Sequence, residues 1–346
     1  MDVMYIGTVT IKDVAKKAKV SIATVSRVIN GADTVNENLR AKVLRAIDEL
    51  EFVPNSAARS MKIRKNHTVG IIVSDISLPF YANITKQIEL ECRTKGDIVL
   101  FVNTNDDPAA ERLGIEFMIQ KQADVIVILS TGANEDYMSR LRQRGTSIIF
   151  IDRRSKNGDF PSVYVDKRAG MYDAVRFLSE QGHRKIAFIS GPEHIITNVD
   201  RLRGIQDYFR DAGLKDSDTR CFYGEFTAEY GISVIKSLFG PGSAWQPTAV
   251  IAGNAMIASG IFLYCKEHDI AIPDRLSLIS FEDFALSQLI EPRLSYVQGE
   301  YEEVGNKLIK MINAAMDGIL SVSDCVIQPR LMIYDSVKAL DGCITG

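Results

Sequence analysis

The amino-acid sequence predicts two architectures in one chain: a small all-helical unit at the N-terminus, followed by a much longer α/β unit. Apolar residues recur at helical spacing between residues 10 and 51. From residue 68 onward, buried β-type runs alternate with helical segments. Basic charge is concentrated at one end, since residues 1–66 hold 12 Lys and Arg against 7 Asp and Glu, a net charge of +5. The rest of the chain carries −8, and the whole chain −3.

The bulk composition is that of an ordinary globular chain. Its 346 residues are 46% hydrophobic and 25% charged, which suits two or three domains. No apolar run has membrane-spanning length, and the N-terminus lacks the pattern of a secretory signal. The five cysteines show neither metal-site nor disulfide spacing. We therefore expect a cytoplasmic protein with reduced thiols and without a metal ion or cofactor.

Residues 10–31 are predicted to form two short helices joined by a tight turn at Lys19-Val20. The hydroxyl of Ser21 is placed to cap the second helix, and Gly31 is placed to end it. Each helix has an apolar inner stripe, formed by Val14, Ala15 and Ala18 in the first and by Val25, Val28 and Ile29 in the second. The spacing is typical of a helix-turn-helix.

The opposite face of the second helix is small and mostly polar, with one cation. A face of this kind fits the major groove of DNA, where Arg27 can pair with guanine and Ile22 and Ala23 can touch a thymine methyl group. A surface helical hairpin is the alternative, and the segregated basic charge favours the DNA-reading interpretation. The predicted DNA contacts in this region are Thr10, Ser21, Ile22, Ala23, Thr24, Ser26, Arg27 and Asn30.

A third helix is predicted over residues 36–51, capped by Asn36 or Thr34, which completes a head domain over residues 8–54. Its expected buried stripe is Leu39, Val43, Ala46, Ile47 and Leu50. Pro54 ends it, and residues 55–66 are either a solvated linker or a hinge helix that folds on DNA. In the second case Asn55, Ala58 and Met61 contact DNA, with Met61 wedged between base steps in the minor groove.

The α/β unit, residues 67–346, is predicted from its alternating segments. The predicted strands are Val69–Ser74, Ile98–Asn103, Val125–Leu129, Ile148–Asp152, Lys185–Ser190, Ala249–Gly253 and Leu276–Phe281. The predicted helices include Phe80–Thr94, Arg168–Gln181, Arg201–Ala212, Ala228–Phe239, Ala255–His268 and Glu300–Met316. Because the pattern restarts near residue 163, we expect two parallel sheets covered by helices.

Several runs resemble the LacI/GalR family of bacterial transcription regulators. They are Thr-Ile-Lys-Asp-Val-Ala and Thr-Val-Ser-Arg-Val-Ile-Asn-Gly in the head, Pro-Asn-Ser-Ala-Ala-Arg-Ser-Met after it, and Gly-His-Arg-Lys-Ile-Ala-Phe-Ile-Ser-Gly, Arg-Leu-Arg-Gly and Ile-Pro-Asp-Arg-Leu-Ser-Leu-Ile-Ser-Phe further on. The resemblance implies a helix-turn-helix domain and hinge helix, then two Rossmann-like subdomains in a periplasmic-binding-protein-like (type 1) effector domain. It also implies a homodimeric repressor of carbohydrate-related genes that binds pseudo-palindromic operator DNA and a small-molecule effector.

Ligands of such folds bind at the carboxyl ends of the strands, between the lobes. The predicted strand ends carry Ser74-Asp75, Ser130, Asp152-Arg153, Gly191, Gly253-Asn254 and Glu282-Asp283. The family resemblance adds Phe80, Tyr81, Arg201 and Phe226. The predicted effector contacts are Phe80, Tyr81, Ser130, Asp152, Arg153, Arg201, Phe226, Asn254 and Glu282. For each residue alone, ordinary capping or salt bridging is the alternative.

Two departures from the family pattern bear on the effector. Sugar-binding members often carry Asn-Asp where this chain has Asn254-Ala255, and Asp where it has Glu282. The cleft therefore loses one carboxylate and keeps Arg153 and Arg201. We expect an anionic effector, such as a sugar acid or sugar phosphate.

Three other functions compete with this one. The Ile22-Ala23 pair before Thr-Val-Ser-Arg resembles the catabolite-control branch, whose DNA binding depends on a corepressor protein. A transport receptor fits poorly with a DNA-reading head and no secretory signal. An enzyme fits poorly because the sequence has no dinucleotide fingerprint, phosphate loop or nucleophile elbow, so we expect no catalytic residues. No heptad run follows residue 336, so a coiled-coil tetramer tail is not expected.

Overall fold

The computed structural model describes residues 9–29, 35–52, 66–214, 218–283 and 289–340. The chain divides into two units, Met1–Asn66 and His67–Gly346, which we term the head and the core unit. The predicted DNA contacts Asn30, Asn55, Ala58 and Met61, together with the predicted hinge helix and Gly31, lie outside the described residues.

The head contains three helices, α1 (Ile11–Ala18), α2 (Ile22–Ile29) and α3 (Glu37–Glu49). The turn between α1 and α2 is as predicted, with Lys19 in the left-handed region at φ 56°. Both predicted caps form, since the Ser21 hydroxyl accepts from the Thr24 amide at 3.1 Å and Asn36 Oδ1 accepts from the Asn38 amide at 2.9 Å. The predicted stripes pack into one core, and its buried members are Val14, Ala15, Ala18, Val25, Val28, Val43, Ala46 and Phe52. Leu39 was wrongly included, because it is 38% exposed.

The first lobe of the core unit is built on a six-stranded, fully parallel sheet in the order β11-β5-β4-β3-β1-β2. Its strands are β1 (Thr68–Val73), β2 (Ile98–Asn103), β3 (Val125–Ile128), β4 (Ser147–Ile151), β5 (Ser162–Val165) and β11 (Asp324–Ile327). Its helices are α4 (Pro79–Lys95), α5 (Pro108–Gln120), α6 (Glu135–Gln143) and α11 (Tyr301–Met316). Helices α4 and α11 cover one face, and α5 and α6 the other.

The second lobe repeats this plan in the order β12-β10-β9-β8-β6-β7, with β12 antiparallel to β10. Its strands are β6 (Ile186–Ser190), β7 (Thr219–Tyr223), β8 (Ala249–Ala252), β9 (Ser277–Phe281), β10 (Ser295–Gln298) and β12 (Arg330–Met332). Its helices are α7 (Lys167–Glu180), α8 (Ile196–Asp211), α9 (Ala228–Phe239) and α10 (Ala255–Glu267). Helices α7 and α8 cover one face, and α9 and α10 the other.

The chain passes between the lobes three times: from β5 to α7, from β10 to α11 and from β11 to β12. Two parallel lobes were therefore predicted correctly, and the restart of the pattern near residue 163 falls within β5, just before the second lobe begins. Strand β5 still belongs to the first sheet, and the second lobe begins with α7 at Lys167. Since β5 follows β4 without a helix between them, the strand–helix alternation gives no sign of this strand. No described helix is long and apolar enough to cross a membrane.

Candidate functional site

The predicted DNA-reading face of α2 is open to solvent. Ile22 is 45% exposed although it is apolar, and Ala23 and Arg27 are exposed beside it. An exposed isoleucine at the start of a helix is consistent with a contact surface. Thr10 is the residue before α1, and its amide and its hydroxyl both donate to Asp13 Oδ2, at 2.8 and 2.6 Å, which lowers the pKa of Asp13.

Two carboxylates occupy equivalent positions in the two lobes of the core unit. Asp152 is the first residue after β4, and Glu282 is the first residue after β9. Both have left-handed backbones, with φ 63° for Asp152 and φ 73° for Glu282. Each amide donates to the neighbouring strand, Asp152 to Val163 O and Glu282 to Val297 O, both at 2.8 Å. Non-glycine residues in this conformation are uncommon and often mark functional positions.

One lysine bridges these carboxylates. Lys167 Nζ lies 3.1 Å from Asp152 Oδ1 and 3.6 Å from Glu282 Oε1, and the lysine side chain is only 6% exposed. Asp152 belongs to the first lobe, whereas Lys167 and Glu282 belong to the second. The bridge therefore joins the lobes at the carboxyl ends of their strands.

Two predicted aromatic residues at the start of α4 line the first-lobe side of this bridge. The Tyr81 hydroxyl donates to Asp152 Oδ2 at 3.1 Å. The Phe80 ring packs edge-on against Tyr81 and Tyr301, and Lys167 Nζ lies 5.8 Å from its centroid. Phe80 thus contributes both to the first-lobe core and to the site.

Arg153 is buried beside this cluster, and its guanidinium already has a carboxylate partner. Its Nη1 and Nη2 donate to the two oxygens of Asp106 at 2.8 and 3.0 Å, and Nη1 also donates to Ser130 O at 3.0 Å. The Ser130 hydroxyl accepts from the Gly132 amide at 3.0 Å. Both predicted residues therefore take part in local structure on the first-lobe side of the cleft.

Arg201 differs from Arg153 because it lacks a carboxylate partner among the described residues. It lies on α8 and is 3% exposed. Its Nη1 donates to Asn198 Oδ1 at 2.9 Å, and its guanidinium lies 4.6 Å from the centroid of the Phe281 ring. Its buried Nε has no hydrogen-bond acceptor within the described part of the chain. Arg201 is therefore a buried cation with an unused donor.

The remaining predicted residues, Phe226 and Asn254, lie in the loops that follow β7 and β8. Asn254 caps α10, since its Oδ1 accepts from the Ile257 amide at 2.8 Å, and its Nδ2 donates to Phe226 O at 3.4 Å. The Phe226 ring lies over Gly191, where an added Cβ would come within 2.3 Å of it. Asn198 Oδ1 accepts hydrogen bonds both from the Ser190 hydroxyl, at 2.6 Å, and from Arg201 Nη1, at 2.9 Å. This side chain therefore links the end of β6 to Arg201.

The charges of the cluster shift one another's pKa values. Burial raises the pKa of Asp152, but Lys167, Arg153 and Arg201 outweigh it, so the net shift is downward. Burial raises the pKa of Glu282, and Lys167 offsets this only in part. Burial also raises the pKa of Tyr81, and Asp152 adds to the rise. The site thus favours a charged Asp152 and a neutral phenol at Tyr81.

Lys167 was missed by the sequence analysis, although one signal was present. It occupies the first position of α7, where the helix dipole disfavours a cation. A lysine at this position indicates that nearby carboxylates compensate its charge. Because Lys167 closely follows a strand, it also lies at the edge of the sheet where the parallel strands end. Asp106 and Asn198 were also missed, because neither ends a predicted strand.

A separate groove of about 320 Å³ lies on the second lobe, away from this cluster. It is lined by residues that include Phe262, Cys265, Ile270 and Pro292, and none of the predicted effector contacts lines it. Within the described residues, no cluster of His, Cys, Asp and Glu could hold a metal ion.

Comparison with known proteins matches both units. Residues 10–55 match a model described as bacterial regulatory proteins, lacI family, and residues 175–337 match a periplasmic binding protein-like domain. Catabolite control protein A of Priestia megaterium is 31% identical over 311 residues, covering 89% of this chain and 93% of the relative. The repressor CytR of Escherichia coli (strain K12) is 30% identical over 332 residues, covering 96% and 97%.

A solved structure of the Lac repressor dimer bound to operator and the anti-inducer ONPF has the same fold. Its TM-score is 0.80 at 21% identity, and the alignment covers 96% of this chain and 99% of that one. These relatives are DNA-binding regulators and not enzymes. The chain belongs to the lacI family of bacterial regulatory proteins, as its head motifs predicted, and it is a DNA-binding transcription regulator.

Proposed function

We propose that this regulator is a cytoplasmic homodimeric repressor of carbohydrate-related genes, controlled by a small metabolite held between its lobes. Two heads place their α2 helices in successive major grooves of a pseudo-palindromic operator, whose spacing follows the two-fold axis of the dimer. Effector binding changes the arrangement of the lobes and so the affinity for DNA. Couplings of this type are typically about 1–3 kcal/mol.

The proposed effector is an anion, such as a sugar acid or a sugar phosphate. The observation that supports this is Arg201, a buried cation whose Nε has no acceptor among the described residues. Arginine pairs with carboxylate and phosphate groups through parallel hydrogen bonds. Arg153 is a weaker candidate for the same role, because Asp106 already binds both of its terminal nitrogens.

The DNA-binding part is tested by selection from a random DNA pool at defined salt concentration, followed by sequencing. We expect enrichment of a palindrome with a flexible central step, and fluorescence anisotropy of the full chain then gives its affinity. Binding that is weak, salt-sensitive and equal for all sequences would contradict a sequence-specific reading head.

The effector part is tested by titration calorimetry with gluconate, glucose 6-phosphate and glucose. We expect at least one anion to bind, and Arg201→Lys and Arg201→Gln to weaken that binding by about 10- to 100-fold, since a buried charged hydrogen bond is lost. Arg210→Gln is the matched control, because Arg210 lies on the same helix with its side chain 67% exposed and away from the cleft residues. Tight binding of glucose with no response to either anion would exclude the anionic effector.

A second candidate is a catabolite-control-type regulator that requires a corepressor protein. The similarity to Catabolite control protein A favours it. Repeating the DNA selection with and without a phosphorylated phosphocarrier protein distinguishes the two functions. Enrichment only in its presence supports the corepressor, whereas enrichment by the regulator alone supports the first candidate.

A further inference from the structure

The two carboxylates of the interlobe site are symmetry-equivalent within the fold, and one cation lies between them. Asp152 and Glu282 follow the corresponding strands β4 and β9, share a left-handed backbone, and make the same amide hydrogen bond to the next strand. Lys167 Nζ is 3.1 Å from one and 3.6 Å from the other. The cleft thus already contains a charged group that contacts both lobes at once.

Burying these charged groups destabilises the folded protein unless each of them has a partner of opposite charge. A buried ammonium or carboxylate without a partner is strongly destabilising, whereas the bridged group is compensated. Lys167 also starts α7, where the helix dipole opposes its charge, so both carboxylates are needed to hold it. Tyr81 supplies a neutral donor to Asp152 and adds no charge to the cluster.

A count of charges shows what remains for a ligand. Asp106 is paired with Arg153, and Lys167 lies within ion-pair distance of both Asp152 and Glu282. Arg201 forms no ion pair with either carboxylate among the described residues: its Nη1 donates to Asn198 Oδ1, and its Nε, like the Nε of Arg153, has no acceptor there. Of these two buried guanidinium groups, Arg201 is therefore the one without a carboxylate partner among the described residues.

We propose that Lys167 acts as a built-in ligand that sets the charge preference of the cleft: its ammonium fills the position between Asp152 and Glu282, and leaves Arg201 to bind the anion of the effector. A cleft without this lysine would present two uncompensated carboxylates and would bind a cation. The binding of an effector anion by Arg201 rests on the proposed function, whereas the position of the Lys167 ammonium does not.

The position of the ammonium is tested by chemical rescue of the full chain. Lys167→Ala removes the atoms that n-propylammonium can replace. We expect the variant to have a lower Tm than the wild type, and n-propylammonium chloride to raise its Tm by about 2–4 °C. Tetramethylammonium chloride at the same concentration serves as the salt control, since it cannot donate a hydrogen bond.

Lys95→Ala is the matched control variant, because Lys95 is a 41% exposed lysine of the same unit that pairs with Glu91. An equal response of the Lys95 and Lys167 variants to n-propylammonium would overturn the proposal. If Lys167→Ala does not fold, the pair Lys167→Met and Lys167→Met/Glu282→Gln replaces it. The second change must then restore soluble, folded protein, and failure to do so also overturns the proposal.

The charge preference of the cleft is measured separately, by titration calorimetry with gluconate and glucose 6-phosphate. We expect Lys167→Met/Glu282→Gln to keep anion binding within about threefold of the wild type, and Lys167→Met alone to weaken it at least about tenfold. Equal anion binding by Lys167→Met and the wild type would refute the charge-setting role. If the wild type binds neither anion, the proposed effector is wrong, while the amine rescue still tests the position of Lys167.

Discussion

At the residue scale, the contacts of a guanidinium decide whether an arginine is available for a ligand. Arg153 and Arg201 are both buried and each has an Nε without an acceptor among the described residues, yet Asp106 binds Arg153 through two hydrogen bonds, whereas Arg201 has no carboxylate partner there. Arg27 is exposed on the outer face of α2. The same type of side chain therefore stabilises the fold at Arg153, and we propose that it contacts a binding partner at Arg27 and at Arg201.

Arg27→Ala tests the reading of base edges. If Arg27 pairs with guanine, the variant loses about 1–3 kcal/mol on the selected operator and much less on random DNA. Fluorescence anisotropy on both DNAs at one salt concentration measures this. Arg45→Ala is the matched control, since Arg45 is an exposed arginine of the same unit on α3. Equal losses on both DNAs would make Arg27 a phosphate contact.

The sequence predicted the residues of the cleft that follow strands, because parallel strands end at one edge. Asp152 and Glu282 were found in this way, and they do lie around one cation. Lys167 was not found, since it follows β5, a strand that the alternation of strands and helices did not reveal. The sequence does not show whether a predicted site residue is already hydrogen-bonded, because its partner can be distant in sequence, as Asp106 is from Arg153.

At the element scale, the long helices and the strands with continuous apolar runs, including the edge strand β2, were predicted well, whereas several short strands were not. The head helices and the central strands carry clear apolar patterns, and they appear close to the expected bounds. Strands β7, β11 and β12 lie at sheet edges and are partly exposed, so their patterns are weak. Helix α8 starts at Ile196, ahead of the predicted Arg201, which places Arg201 inside the helix and not at its first turn.

A buried histidine in the turn between α7 and β6 leads to a prediction about how the stability of the protein depends on pH. His183 is 1% exposed, and its Nδ1 and Nε2 lie 2.9 Å from Thr248 Oγ1 and 3.1 Å from Lys338 O. Burial lowers the pKa of His183 below the ordinary histidine pKa of 6.5. Protonation therefore disfavours the folded state, so its contribution is present above pH 6.5 and is lost as the pH falls toward the lower folded-state pKa.

Urea denaturation at pH 7.5 and 5.5 measures this contribution. We expect His183→Gln to lose about 1–3 kcal/mol at pH 7.5, because one buried partner is removed, and to show a smaller loss on acidification than the wild type. His194→Gln is the control, since His194 is exposed on the same lobe. An unchanged pH dependence in the His183 variant would assign the effect to other groups.

At the scale of the whole molecule, three chain crossings join two lobes of the same plan. Each lobe has its own sheet with helices on both faces, so each lobe has its own hydrophobic core. Interactions across the cleft therefore govern how the lobes are held, and few of them were visible in the sequence. The bridge at Lys167 is one, and the pairing of Arg154 with Asp200 is another.

The Arg154–Asp200 pair gives a test of coupling between the lobes. Arg154 follows β4 in the first lobe and Asp200 lies on α8 of the second, and Arg154 Nη2 donates to Asp200 Oδ1 at 2.8 Å. Asp200 is largely buried and raises the pKa of Arg154, so the pair is less screened than one on the open surface. A double-mutant cycle with Arg154→Ala and Asp200→Asn should give a coupling of about 1–2 kcal/mol in urea denaturation.

The pair Arg93 and Glu89 is the matched comparison, because both residues lie on α4 with side chains 67% and 46% exposed. A cycle with Arg93→Ala and Glu89→Gln should give less than about 0.5 kcal/mol. Additive effects at Arg154 and Asp200 would mean that the lobes are held by the chain crossings and Lys167 alone. A measurable coupling that falls when an effector binds would instead show that the ligand and this pair act on the same movement of the lobes.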